Sequence, residues 1–121
     1  MHVELTREFR FEAAHRLPMV PPGHKCHRLH GHSFVIEVAL AGELDEERGW
    51  LVDFGEVAAR VEPILKAELD HRTLNDVPGL ENATSELLCL WLWRRFAPLL
   101  PGLAAVTVHE TCTARCTYRG A

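Results

Sequence analysis

The sequence predicts an α+β chain, in which a four-stranded antiparallel sheet carries two helices on one face in the order strand, strand, helix, helix, strand, strand. Three observations lead there. Residues 3–15 alternate between apolar and polar with the two-residue period of a half-buried strand. Two central segments set apolar residues at helical spacing behind capping residues, and the last third is again rich in β-branched residues. Consecutive strands joined by short connections pair antiparallel, and two helices over one face complete the layers.

A length of 121 residues fits one domain, 1–121, able to bury roughly two-thirds of the surface exposed by the unfolded chain. With 47% hydrophobic residues, 25% charged residues and a net charge of −4, the composition is that of an ordinary globular chain without the basic excess of a nucleic-acid binder. The amino terminus alternates charge with apolar residues and shows no hydrophobic stretch of signal-peptide length, so the expected location is the cytoplasm. The longest apolar run, Leu87 to Trp93, is too short to span a bilayer.

In the first strand Val3, Leu5, Phe9, Phe11, Ala13 and His15 share one parity, with Glu4, Thr6, Glu8, Arg10 and Glu12 on the other. The second strand, Ser33 to Leu40, puts Phe34, Ile36, Val38 and Leu40 on one face, and His32 opens that face. An acidic turn, Gly42 to Gly49, follows. Asp53 and Glu56 resemble a capping box ahead of Val57, Val61, Ile64 and Leu65, and Pro63 is expected to kink or shorten that helix. A loop from Leu69 to Asp76 closes at Pro78-Gly79. Thr84 is the expected N-cap of the second helix, with Glu86 in its first turn and Leu87, Leu88, Trp91, Leu92 and Phe96 as its buried face. Two strands, Ala104 to Thr111 and about Ala114 to Arg119, end the chain.

The chemistry concentrates in Cys26-His27-Arg28-Leu29-His30-Gly31-His32. Residues two apart on a strand share a face at a spacing of roughly 6 to 7 Å, so His30 and His32 can converge on one ion. Histidines on strands are also often only solvated or hydrogen-bonded. His15 ends the first strand on its apolar face, however, and if the two strands are neighbours three imidazoles gather at one end of the sheet. Three protein ligands with a fourth position open is the catalytic pattern for zinc, although imidazole also suits copper, iron and nickel. Cys26 sits in a loop beside Lys25 and Arg28, where nearby cations or a metal favour the reactive thiolate; it could equally close the site as a fourth, structural ligand.

Other candidates are weaker taken singly. Asp70 beside His71 is an ordinary surface pair unless the loop covers the metal, where the carboxylate would orient an acid or base. Glu110 shares the parity of Val106 and Val108, so it is either a half-exposed strand end or a carboxylate awaiting a ligand with N–H donors. Cys89 reads as packed core, and Cys112 with Cys116 lacks the second pair that a metal site would need.

Taken together, Phe11-Glu12-Ala13-Ala14-His15, Cys26-x3-His30-Gly31-His32, Asp53-Phe54, Asp70-His71 with Leu74-Asn75, Thr84-Ser85-Glu86 and Glu110-Thr111 resemble the 6-pyruvoyltetrahydropterin synthase family over nearly the whole chain. Three residues between the cysteine and His-Gly-His is similar to the 6-carboxytetrahydropterin synthase branch of queuosine biosynthesis, whereas the pyruvoyl-forming branch has a longer spacing. Ala83 departs from the proline common before Thr-Ser-Glu. The resemblance implies a tunnelling fold whose sheets join into an oligomeric barrel, a homohexamer built as a dimer of trimers. It implies a lyase acting on 7,8-dihydroneopterin triphosphate to give 6-carboxy-5,6,7,8-tetrahydropterin, acetaldehyde and triphosphate. It implies zinc on His15, His30 and His32, a proton-abstracting Cys26, an acid/base pair of Asp70 and His71, a pterin anchor at Glu110, and substrate binding by Thr84, Ser85 and Glu86. Arg16, Lys25, His27 and Arg28 are candidates to meet the triphosphate. A pyruvoyl-forming enzyme and a non-catalytic zinc module closed by Cys26 are the rival readings.

Overall fold

The structure is a computed structural model that describes residues 1–120. Strand β1 (His2–His15) pairs antiparallel with β2 (His30–Glu43) along their full length, setting Phe11 opposite Phe34, Ala13 opposite His32 and His15 opposite His30. Helix α1 (Phe54–Ile64) runs on through a π-helical turn, Leu65–Leu69, to β3 (Arg72–Thr73). Helix α2 (Ser85–Phe96), β4 (Leu103–His109) and β5 (Arg115–Tyr118) complete the chain, and the sheet order is β3-β1-β2-β4-β5.

The four expected strands are present, and a fifth joins them. At two residues, β3 is too short to show any periodicity; it lies parallel to β1 through Ala13 and Ala14, an arrangement made by tertiary pairing. Strand β4 ends two residues earlier than expected, so Glu110 and Thr111 leave the ladder. At its start Gly102 has φ +85°, and a Cβ there would stand 2.8 Å from the Ala41 carbonyl oxygen, a position only glycine fills without displacement.

Phe9, Phe11, Phe34, Ile36, Val38 and Leu40 from β1 and β2 pack with Val106 and Val108 of β4. Over them lie Val57, Val61, Ile64 and Leu65 of the first helical segment and Leu88, Cys89, Leu92 and Phe96 of α2. Each large side chain of this layer contributes about 1.5–3 kcal/mol by leaving water. The buried stripe of α2 follows Leu88, Leu92 and Phe96 at four-residue steps; Leu87 turns outward at 40% exposure and Trp91 flanks the stripe, its indole N–H donating to Pro78 O at 3.1 Å.

Both helix starts match their capping residues. Asp53 Oδ1 accepts from Gly55 N at 2.9 Å and Thr84 Oγ1 from Leu87 N at 3.1 Å, bonds typically worth about 1 kcal/mol each. Pro63 marks where α1 loses its regular ladder: the α segment ends at Ile64 and the next turn widens to π. Among the described residues no helix is long and apolar enough to cross a membrane.

Candidate active site

The register of β1 and β2 brings His15, His30 and His32 to one end of the helix-covered face. One ligand atom from each lies within 4.8 Å of the other two. Beneath them is Phe34, its ring 5.6 Å from that of His15 and 5.5 Å from that of His32, so the trio stands on an apolar floor. His15 is buried at 1% exposure, and His30 and His32 are half-buried.

Two backbone carbonyls fix the ring orientation. His15 Nδ1 donates to Ala83 O at 2.7 Å, and His30 Nδ1 donates to Arg28 O at 2.7 Å. A carbonyl oxygen only accepts, so each Nδ1 carries the hydrogen and each neutral ring presents an Nε2 lone pair, the outer-shell arrangement common to metal-ligating histidines. The Ala83 carbonyl is a main-chain group that a proline at that position would equally supply.

Glu110 Oε1 faces the trio, 3.2 Å from His15 Nε2 and 3.9 Å from His32 Nε2. Both of these Nε2 atoms are buried without a hydrogen-bond partner. A carboxylate oxygen and an imidazole lone pair this close repel unless positive charge lies between them. Protonating the rings would supply it, but burial pushes both pKa values below 6.5, only partly offset by the Ala83 carbonyl at His15 and by the Glu110 charge at both rings. A divalent cation meets the demand without charging either ring, and the donor set of three imidazoles suits zinc.

Cys26 lies on a single 3₁₀ turn, Lys25–His27, beside the trio in sequence but outside the group of mutually close ligand atoms. Its N–H donates to His24 Nδ1 at 3.0 Å, its carbonyl accepts from Leu17 N at 2.8 Å, and it remains a half-buried free thiol. Arg16, Lys25 and Arg28 are exposed around this loop, and His27 is half-buried.

Asp70 and His71 form a built pair. Asp70 Oδ2 accepts from His71 Nδ1 at 2.9 Å, while Oδ1 accepts from Glu12 N at 2.9 Å. These donors, the Glu12 N–H first and His71 second, hold the Asp70 carboxyl below its usual range. His71 sits at φ 58°, the one positive φ outside glycine among the described residues, held there by its N–H bond to Glu12 O. Such strain persists only where the surroundings impose it, and it clusters at functional positions. The His71 ring is 77% exposed and lines a cavity of about 490 Å³ with Glu12, Ala14, Gly31, Ser33 and the candidate ligand His32. Within one chain the ring therefore borders a cavity that His32 also lines, together with Glu12, Ala14, Gly31 and Ser33 of the opposite strand parity.

Thr84, Ser85 and Glu86 form the start of α2, directly after Ala83; the Thr84 hydroxyl is engaged as the cap. The residue missed from sequence is Ala83, since a backbone carbonyl leaves no side-chain signal.

Fold and site thus define an α+β protein with three histidines at one end of its sheet placed so that they could hold a metal ion. The family model for 6-pyruvoyl tetrahydropterin synthase matches residues 4–121, and the chain belongs to that family. It is 43% identical over 117 residues to a 6-carboxy-5,6,7,8-tetrahydropterin synthase of Synechocystis sp., covering 93% of this chain and 89% of that one. It is 37% identical over 92 residues to a dihydroneopterin monophosphate aldolase of Pyrococcus furiosus, covering 76% of this chain and 73% of that one. The solved structure of Caenorhabditis elegans 6-pyruvoyl tetrahydropterin synthase superposes with a TM-score of 0.91 at 28% identity, covering 100% of this chain and 97% of that chain.

Proposed function

We propose that this chain, an enzyme of the lyase type like its tetrahydropterin synthase relatives, is a zinc-dependent 6-carboxy-5,6,7,8-tetrahydropterin synthase. Its substrate is 7,8-dihydroneopterin triphosphate, and its products are 6-carboxytetrahydropterin, acetaldehyde and triphosphate, a step toward queuosine and related 7-deazapurines. The observation that carries the reading is the meeting of His15 Nε2 and Glu110 Oε1 at 3.2 Å, with His30 and His32 beside them: an electron-rich pocket that calls for a cation. Carboxy rather than pyruvoyl chemistry is supported by the three residues between Cys26 and His30 and by the 43% identity to the Synechocystis enzyme.

His15, His30 and His32 would hold the zinc. Bound there, zinc supplies Lewis acidity toward oxygens of the substrate side chain, which makes the adjacent C–H acidic. Cys26 as thiolate takes that proton. His71, oriented through Nδ1 by Asp70, exchanges a proton at the side-chain oxygen with its free Nε2. Glu110 accepts paired N–H donors from the amino-pyrimidine edge, and Thr84, Ser85 and Glu86 border the bound ring. Arg16, Lys25, His27 and Arg28 face the triphosphate.

The working form is a homohexamer, a dimer of trimers. Support comes from the open sheet edges at β5 and along β1 beyond its short pairing with β3, which barrel closure would cover. A cytoplasmic setting is supported by four free thiols. The test is mass spectrometry on purified, zinc-loaded protein given 7,8-dihydroneopterin triphosphate. The expected result is 6-carboxytetrahydropterin with release of acetaldehyde. A 6-pyruvoyl product without acetaldehyde would assign the pyruvoyl-forming reaction instead, and no turnover of the triphosphate would defeat the enzyme reading.

A further inference from the structure

We propose that Asn75 is a positioning residue for the metal pocket, acting on His15 through the backbone on both sides of that ring; this rests on the reading of His15, His30 and His32 as zinc ligands. Leu74, fully buried, anchors the short 3₁₀ turn Leu74–Asp76 and aims the next side chain at the end of β1. Asn75 Oδ1 accepts from Arg16 N at 2.9 Å, and Nδ2 donates to Arg16 O at 2.8 Å and to Glu81 O at 3.0 Å. Both amide hydrogens and the amide oxygen are thereby committed to main-chain groups.

The parallel pairing of β1 with β3 stops at Ala14 and Thr73, so the next stretch of β1 has no ladder partner there. The Asn75 amide takes that place, offering Arg16 one donor and one acceptor as a peptide group would. Arg16 directly follows His15, and that side of the ligand is pinned. The third bond grips Glu81, two residues before Ala83, whose carbonyl receives the His15 Nδ1 proton. One side chain therefore fixes both the strand that carries His15 and the loop that sets its tautomer.

Asn75→Asp separates this role from electrostatics. The shape and the acceptor for Arg16 N remain, but both donors become oxygens facing the carbonyls of Arg16 and Glu81. At long range the added negative charge attracts a cation, so weaker metal binding would not be an effect of that charge. Changing an outer-shell partner typically costs about 10–100-fold in metal affinity.

The experiment measures zinc affinity of the full oligomeric chain by competition with a chelator, and the visible spectrum after Co²⁺ replaces zinc. Val61→Ala, in the core away from the pocket, reports what general destabilisation does. The expected result is zinc binding weaker by about tenfold or more and an altered Co²⁺ spectrum in Asn75→Asp, with both unchanged in Val61→Ala. If Asn75→Asp does not fold, Asn75→Ser, which keeps one donor, is read in the same way. Unchanged affinity and spectrum in the Asn75 variant, or an equal loss in Val61→Ala, overturns the inference while leaving the metal reading intact. A wild-type chain that binds no zinc overturns both.

Discussion

The His15 imidazole donates its Nδ1 hydrogen to the carbonyl of Ala83 at 2.7 Å, joining the end of the first strand to a loop 68 residues later. The bond leaves Nε2 facing Glu110 Oε1 at 3.2 Å, without a hydrogen-bond partner of its own. His30 is held more locally, by Arg28 O. Replacing His30 with Ala leaves the His15 bond and the apolar floor in place while reducing the trio to two ligands. Stoichiometric zinc and turnover should both disappear in that variant, with the sheet still folded by circular dichroism. Full zinc occupancy by elemental analysis would sink the ligand assignment.

Cys26 stands apart from the trio, so removing its thiol should not remove the metal. For Cys26→Ala the expected outcome is zinc retained and turnover lower by about a hundredfold or more, the scale of a proton-transfer group. Zinc leaving together with the thiol would instead identify Cys26 as a structural ligand.

Much of this was legible in the sequence because it depends on period and parity. The two-residue alternation that buries Phe9, Phe11 and Ala13 also carries His15 inward, and the same rule places His32 above Phe34. The capping roles of Asp53 and Thr84 follow from side-chain chemistry a few residues away. What could not be read depends on long-range backbone geometry. Strand β3 exists only because β1 offers it an edge, the positive φ of His71 is imposed by Glu12, and the Ala83 carbonyl is invisible to any pattern of side chains. The outward turn of Leu87 is a phase error of one helical position, which the tight run of apolar residues in α2 concealed.

Glu110→Gln tests whether the carboxylate serves the pterin or the metal. An amide keeps one acceptor oxygen and adds two hydrogens that would face the ligand's own donors. Affinity for a pterin product, measured by calorimetry on the zinc-loaded protein, should fall while zinc remains bound. Unchanged pterin affinity counts against the anchor, and a large loss of zinc would make Glu110 a metal ligand.

The depressed pKa of Asp70 has a definite sign in stability. A carboxyl whose folded pKa lies below its ordinary value of 3.8 stabilises the fold fully above that value and loses the contribution as pH falls through the folded pKa. Asp70→Asn should therefore lower the urea midpoint of the metal-free protein by a constant amount near neutral pH. The gap from wild type should shrink as pH drops below the ordinary value and through the depressed one. A gap that widened in acid would show that the Glu12 and His71 contacts do not favour the ionised form.

His71, held by Asp70, borders a cavity lined by residues of both strand parities, His32 among them, and its ring is 77% exposed and free to reach outward. The proposed barrel of several sheets would set the His71 of one chain beside the Cys26 and zinc of a neighbour. Complementation tests this: inactive Cys26→Ala and His71→Ala proteins are mixed, dissociated, reassembled and assayed. With equal amounts and random reassembly, about a quarter of the sites would pair an intact Cys26 with an intact His71 of the adjacent chain, and activity should return to about that fraction of wild type. If one chain supplies both groups, every site carries one defect whatever the mixing ratio, and activity remaining at the level of the separate variants would defeat the shared site.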